Sequence, residues 1–126
     1  MKKLIIIAVI ILIVLIIFIA NRNKITYQNI TDDMAIVELQ NNPNIVLLDV
    51  RSKEEHEEKR IPNSISIPLD ELEERIANEI KDKQTKIFVY CKTGIRSEQA
   101  SKTLVSLGYT NVYNLGGLEN WKYETE

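Results

Sequence analysis

Residues 4 to 20, LIIIAVIILIVLIIFIA, contain no charged or polar side chain. Such a run is apolar on every side, and a chain of 126 residues is too small to surround it as a core helix. At ~1.5 Å per residue its 17 residues reach about 26 Å, a little short of the ~30 Å hydrocarbon core of a bilayer. Lys2, Lys3, Asn21 and Arg22 can snorkel across the shortfall. A cleaved secretory signal is the rival reading. The apolar stretch exceeds the usual ~7–15 residue signal core, and no small-x-small pair precedes Asn21, since Phe18 precedes Ile19-Ala20. The expectation is a retained single-pass anchor over residues 1–24 and one domain over residues 25–126. Two basic residues precede the span and two follow it, so the positive-inside rule gives almost no orientation.

Composition then divides at the same place. Four of the 16 basic groups and none of the 18 acids precede Ile25, which leaves 12 basic against 18 acidic groups and a net charge of -6 in the remainder. An acidic domain of this kind argues against nucleic acid as a partner. The single Cys forbids an internal disulfide, and one Cys with one His cannot build a Cys/His zinc cage.

Residues 25–126 read as alternating strands and helices. Thr31 caps a helix to about Gln40, with Ile36 and Leu39 inward. Ile45 to Leu48 and Ile87 to Tyr90 are continuous apolar runs, as expected of strands buried on both faces. Ser52-Lys53-Glu54-Glu55 is a capping box opening a short charged helix. Ser64 to Ile67 is a short strand, and Asp70 with Glu73 is expected to cap a helix bearing Leu72, Ile76 and Ile80. A helix from Ser97 to Leu107 stops at Gly108, Val112 to Leu115 is a last strand, and Gly116-Gly117 is expected to turn. Residues 21–30 are expected to be a linker. The fold class is α/β: a small, doubly wound, mostly parallel sheet with helices on both faces, preceded by one transmembrane helix.

In an open parallel sheet, chemistry gathers at the carboxyl ends of the strands. Two strands end there in reactive groups: Asp49-Val50-Arg51, and Cys91 followed by Lys92-Thr93-Gly94-Ile95-Arg96. A strand–loop–helix unit turns successive N–H groups into one concavity and adds the helix N-terminus, so an anion is stabilised at its centre. If Cys91 sits in that cradle its thiol pKa is lowered and it needs no base; the alternative is an inert buried thiol. His56, on the short charged helix, is expected to be a solvated surface residue.

Taken together, Leu48-Asp49-Val50-Arg51, Glu54-Glu55, Ile61-Pro62, Ile65 to Pro68, Val89 to Ser97, Gly108-Tyr109, Leu115-Gly116-Gly117 and Trp121 resemble a rhodanese-like domain over roughly residues 27 to 122. The resemblance implies a single-domain sulfurtransferase. A loop cysteine takes a sulfane sulfur from a small donor such as thiosulfate, holds it as a persulfide, and passes it to cyanide, a thiol or a protein acceptor. Cys91 matches the persulfide-forming nucleophile. Lys92, Thr93, Gly94, Ile95 and Arg96 match the substrate-binding loop, with Arg96 and Lys92 attracting an anionic donor. Asp49 and Arg51 match a strand-end pair read as structural support, with Arg51 expected to bond Glu55. No cofactor or metal is implied. Where the family usually shows Gly-His-Ile-Pro-Gly-Ala, this chain has Lys59-Arg60-Ile61-Pro62-Asn63-Ser64; Asn63 can replace Gly because Asn tolerates positive φ.

Four residues separate Cys91 from Arg96. Related phosphatase and arsenate-reductase loops are longer by a residue and fit a tetrahedral oxyanion, so the shorter loop favours sulfur transfer. The alternative from another class is a membrane-tethered module using the fold for protein contacts. A persulfide-forming Cys is best maintained by reducing thiols, which slightly favours the cytoplasmic side and leaves the orientation open.

Overall fold

The computed structural model describes residues 1–22 and 24–126. Helix α1 (Lys2–Arg22) has no buried residue and is the one helix among those described that is long and apolar enough to cross a membrane. Beyond it the chain follows β1 (Gln28–Asn29), α2 (Asp32–Asn41), β2 (Val46–Asp49), α3 (Lys53–Glu58) and β3 (Ile65–Ser66). A 3₁₀ turn (Leu69–Glu71), α4 (Leu72–Glu79), β4 (Ile87–Cys91), α5 (Ile95–Ser106), β5 (Val112–Gly117) and a second 3₁₀ turn (Leu118–Asn120) complete it. The strands form one sheet in the order β1-β5-β4-β2-β3, with every pairing parallel. All strands therefore end on the same edge, and both reactive strand ends arrive there together.

Strand alternation explains the two cores. Leu48 on β2 with Ile87, Val89 and Cys91 on β4 faces a cluster built from Leu72 and Ile76 of α4 and Ala100 and Leu104 of α5. Leu47, Phe88 and Tyr90 point the other way and pack with Ala35 of α2, Ile30 and Ile61. Each face of β4 is covered, which is why its sequence is an unbroken apolar run rather than an alternating one. Phe88 meets Tyr113 edge-on at 5.6 Å between ring centres.

Several local expectations need correcting. Gln28 and Asn29 pair with Tyr113 and Asn114 as an edge strand, so the sheet begins inside the segment expected to be a linker. Asp70 makes no cap; it lies in the 3₁₀ turn that leads into α4, whose start carries no side-chain cap. Helix α5 starts at Ile95, not Ser97, because Gly94 at φ 107° redirects the chain immediately after the strand. Gly116 and Gly117 belong to β5 rather than to a turn. Asn63 does adopt a positive φ of 66°, at the turn where the family usually has Gly.

Candidate active site

Cys91 is the last residue of β4 and is fully buried, while Lys92, Thr93 and Ile95 above it are exposed. The Gly94 N–H donates to Cys91 Sγ at 3.0 Å. Burial pushes the thiol pKa up, but hydrogen bonds from the Ser97 hydroxyl and from the backbone N–H groups of Ser97, Gly94 and Thr93 outweigh it, and the net shift is downward. Ser97 Oγ has one proton. With Cys91 protonated it donates to Gly94 O at 3.0 Å; an ionised sulfur gives it a stronger acceptor. In the sequence Ser97 reads as a helix start and as the last residue of the loop motif, without a role at the sulfur.

The loop holds this shape because β5 buttresses it. A β-bulge shifts the register between Val89 and Tyr90, so that Val89 pairs with Asn114 but Cys91 with Gly117. Gly116 takes φ 96° and donates its N–H to Asn114 Oδ1 at 3.1 Å. A Cβ on Gly117 would stand 2.6 Å from Lys92 O and 2.9 Å from Thr93 Cα, so only glycine lets β5 approach the loop backbone this closely. Lys92 O also accepts from Glu119 N–H at 3.2 Å.

Arg96 is brought to the loop but is not free. Its Nη1 and Nη2 donate to the two Glu55 carboxylate oxygens at 2.7 and 3.1 Å, a bidentate pair. This corrects the expected Arg51–Glu55 bond. Glu55 closes the capping box of α3, accepting from Ser52 N–H at 3.3 Å, and its carboxyl is held down to about 2, chiefly by Arg96 and against the opposing cost of burial. Arg96 still lies within electrostatic reach of the Cys91 sulfur.

Arg51 turns instead to Asp49. Asp49 Oδ1 accepts from Arg51 N–H and Nε at 2.9 and 3.0 Å, and Oδ2 from Arg51 Nη2 at 2.7 Å. Oδ2 also accepts from the Tyr90 hydroxyl at 3.0 Å and lies 2.9 Å from His56 Nδ1. His56 is thus not a solvated surface residue: its side chain is only 14% exposed. An ionised carboxylate only accepts, so the Nδ1 position carries the proton. Burial first, and Asp49 beside it, push the Tyr90 phenol up to about 12, so it stays a donor. Tyr90 in turn accepts from Ile61 N–H at 3.2 Å, and Arg51 Nη2 donates to Lys59 O at 2.5 Å, so the network fastens the Lys59–Ser64 turn to the sheet.

No group of His, Cys, Asp and Glu among the described residues is arranged to hold a metal ion. Residues 35–124 match the rhodanese-like domain family. Over 73 residues the chain is 42% identical to the thiosulfate sulfurtransferase PspE of Escherichia coli (strain K12), covering 58% of this chain and 70% of that protein. Over 86 residues it is 38% identical to the thiosulfate sulfurtransferase GlpE of Coxiella burnetii (strain RSA 493 / Nine Mile phase I), covering 68% and 78%. A crystal structure of a rhodanese-related protein from Thermoplasma volcanium superposes with a TM-score of 0.68 at 31% identity, covering 79% of this chain and 98% of that one. The strand–loop–helix cradle around Cys91, the parallel sheet that presents it and these similarities agree: the chain belongs to the rhodanese-like domain family.

Proposed function

We propose that this protein is a membrane-anchored sulfurtransferase that carries a sulfane sulfur on Cys91, with residues 1–24 as the anchor and 25–126 as the catalytic domain. The observation that carries the reading is the Gly94 N–H donating to Cys91 Sγ at 3.0 Å, beside the N-terminus of α5, with the thiol pKa lowered by the loop amides and Ser97. Relatives named thiosulfate sulfurtransferase and sulfur carrier support the reaction class. The Cys91 thiolate attacks the outer sulfur of a thiosulfate-type donor. The donor S–S bond breaks and sulfite leaves with its electron pair. The N–H groups of residues 92–96 then surround the outer sulfur of the persulfide. A thiophilic acceptor, cyanide or a thiol, takes that sulfur, and the Cys91 thiolate is restored. Because Cys91 is fully buried beneath the loop, the first step favours slender donors that can enter it.

The anchor reading rests on α1, which is apolar throughout and buries nothing. The thiol chemistry favours the cytoplasmic side.

The test uses the full chain in detergent. Thiosulfate should add one sulfur, about 32 Da, and cyanide should remove it as thiocyanate. Cys91→Ser should fold yet lose both the mass shift and turnover, since a serine hydroxyl stays protonated near neutral pH. Turnover surviving in Cys91→Ser would overturn the mechanism.

A further inference from the structure

Beyond α1, the large hydrophobic side chains left exposed among the described residues are Ile25, Met34, Val37, Ile95 and Tyr123. Ile95 opens α5, next to the loop over Cys91. The other four fall just after α1, on α2, or in the C-terminal segment fastened to α2. Met34 and Val37 are 59% and 54% exposed and stand three residues apart on one helix face, while Ala35 is buried on the other. Tyr123 donates its hydroxyl to Asp33, the residue before Met34, and Lys122 Nζ reaches the same carboxylate at 3.5 Å. Trp121 stacks edge-on against Tyr123 at 5.3 Å. The apolar face of α2 is therefore flanked by Trp, Tyr and Lys, the side chains that prefer a membrane–water interface.

We propose that the domain rests on the bilayer to which it is tethered, through Met34 and Val37 of α2 and the segment around Trp121 and Tyr123, with lipid headgroups and the adjoining acyl boundary as the occupant. This rests on reading α1 as a membrane anchor. The argument is chain length and area. Only five residues separate α1 from β1, so β1 starts within roughly 20 Å of the end of the span. Thr31, the cap of α2, follows β1 by two residues. A patch of a few side chains falls well short of the ~800 Å² per partner of a stable protein interface. It suffices against lipid once α1 holds the domain at the surface, because the second contact is then intramolecular. Asp33 is already paired with Lys122 and Tyr123, so the contact is apolar and does not require anionic lipid. A cavity of about 550 Å³ is lined by Thr31, Asp33, Lys122, Gly116 and Thr93, so the loop over Cys91 opens beside the docked face.

Trp121 is the only tryptophan and reports on the contact directly. The full chain is reconstituted into phosphatidylcholine vesicles, with and without lipids spin-labelled near the headgroup. Trp121 emission should be shifted to the blue and lose intensity in the labelled vesicles. The double variant Met34→Glu, Val37→Glu should float with the vesicles as before but lose both the shift and the quenching. A chain that floats with unquenched Trp121, or a double variant quenched as strongly as the parent, would overturn docking while leaving the anchor intact. A chain that fails to float would overturn the anchor and docking together.

Discussion

Two strand ends lie side by side on one sheet edge and treat charge in opposite ways. At the end of β2, Asp49 is buried and saturated: Arg51, Tyr90 and His56 all bond to it. At the end of β4, Cys91 accepts from one loop N–H at 3.0 Å, and its remaining support comes from dipoles that strengthen only when the sulfur is ionised. The first end is a closed ion pair that holds the Lys59–Ser64 turn. The second, on the proposed mechanism, is a set of donors for an anion. The contrast separates stability from chemistry, since a saturated carboxylate has no capacity left for a substrate whereas the loop has. Glu55 and Arg96 stand between them. They join α3, which follows the first end, to α5, which follows the second.

The largest effect is expected where the closed end is opened. Asp49→Ala strands the Arg51 guanidinium, 5% exposed, and leaves the Tyr90 hydroxyl and His56 Nδ1 without their acceptor. Removing one partner of a buried ion pair costs about 3–5 kcal/mol. Urea denaturation of the protein in detergent should show a loss of that size, and the protein that remains folded should titrate Cys91 as before. A loss below about 1 kcal/mol would mean that the network is no more than a surface ion pair.

What could be read beforehand follows the range of the interactions. The Ser52–Glu55 capping box spans three residues and forms as written. The apolar runs of β2 and β4, and the Cys91–Arg96 loop, were equally local. Edge strand β1 was not legible: Gln28 and Asn29 are polar and exposed, and they form a strand because β5 offers them a partner 85 residues later. The expected partner of Glu55 was Arg51, four residues before it in the chain. Tertiary packing instead delivered Arg96, 41 residues away. His56 looked solvated because its helix is charged throughout, yet the strand–helix turn brings it back onto Asp49. Gly116-Gly117 read as a turn because the reasons for the two glycines are not local: Gly116 takes a positive φ beside the bulge, and Gly117 lets β5 approach Lys92 and Thr93 in the loop after β4.

The open end is tested through its cations. Arg96→Ala removes a positive charge near Cys91 but also a charge already neutralised by Glu55. Its effect should therefore sit at the lower part of the range for a charge-assisted hydrogen bond, about 1.5 kcal/mol or roughly tenfold in kcat/KM for an anionic donor. Lys92→Ala, with an exposed flexible side chain, should cost less. A stopped-flow measurement of persulfide formation compares the two; equal and negligible effects would remove Arg96 from the donor-binding role.

The smallest effect sharpens the contact between the two ends. Glu55 has its carboxyl lowered from 4.5 to about 2, with Arg96 as the largest cause. A depressed carboxyl contributes stability that is fully present above its unfolded value. That contribution is lost as the pH falls from about 4.5 through about 2. The Glu55 and Arg96 side chains are each about a third exposed, so solvent screening limits the contribution to about 1 kcal/mol. Glu55→Gln keeps an oxygen for Ser52 N–H but gives up the charge. Its denaturation midpoint should run below that of the parent at neutral pH, and the two should converge as the pH falls to about 2. The same variant frees Arg96 for the loop, so persulfide formation from an anionic donor should not slow. A constant difference in midpoint across the pH range would mean that Glu55 acts as a helix cap alone, and that the two strand ends are not joined by its charge.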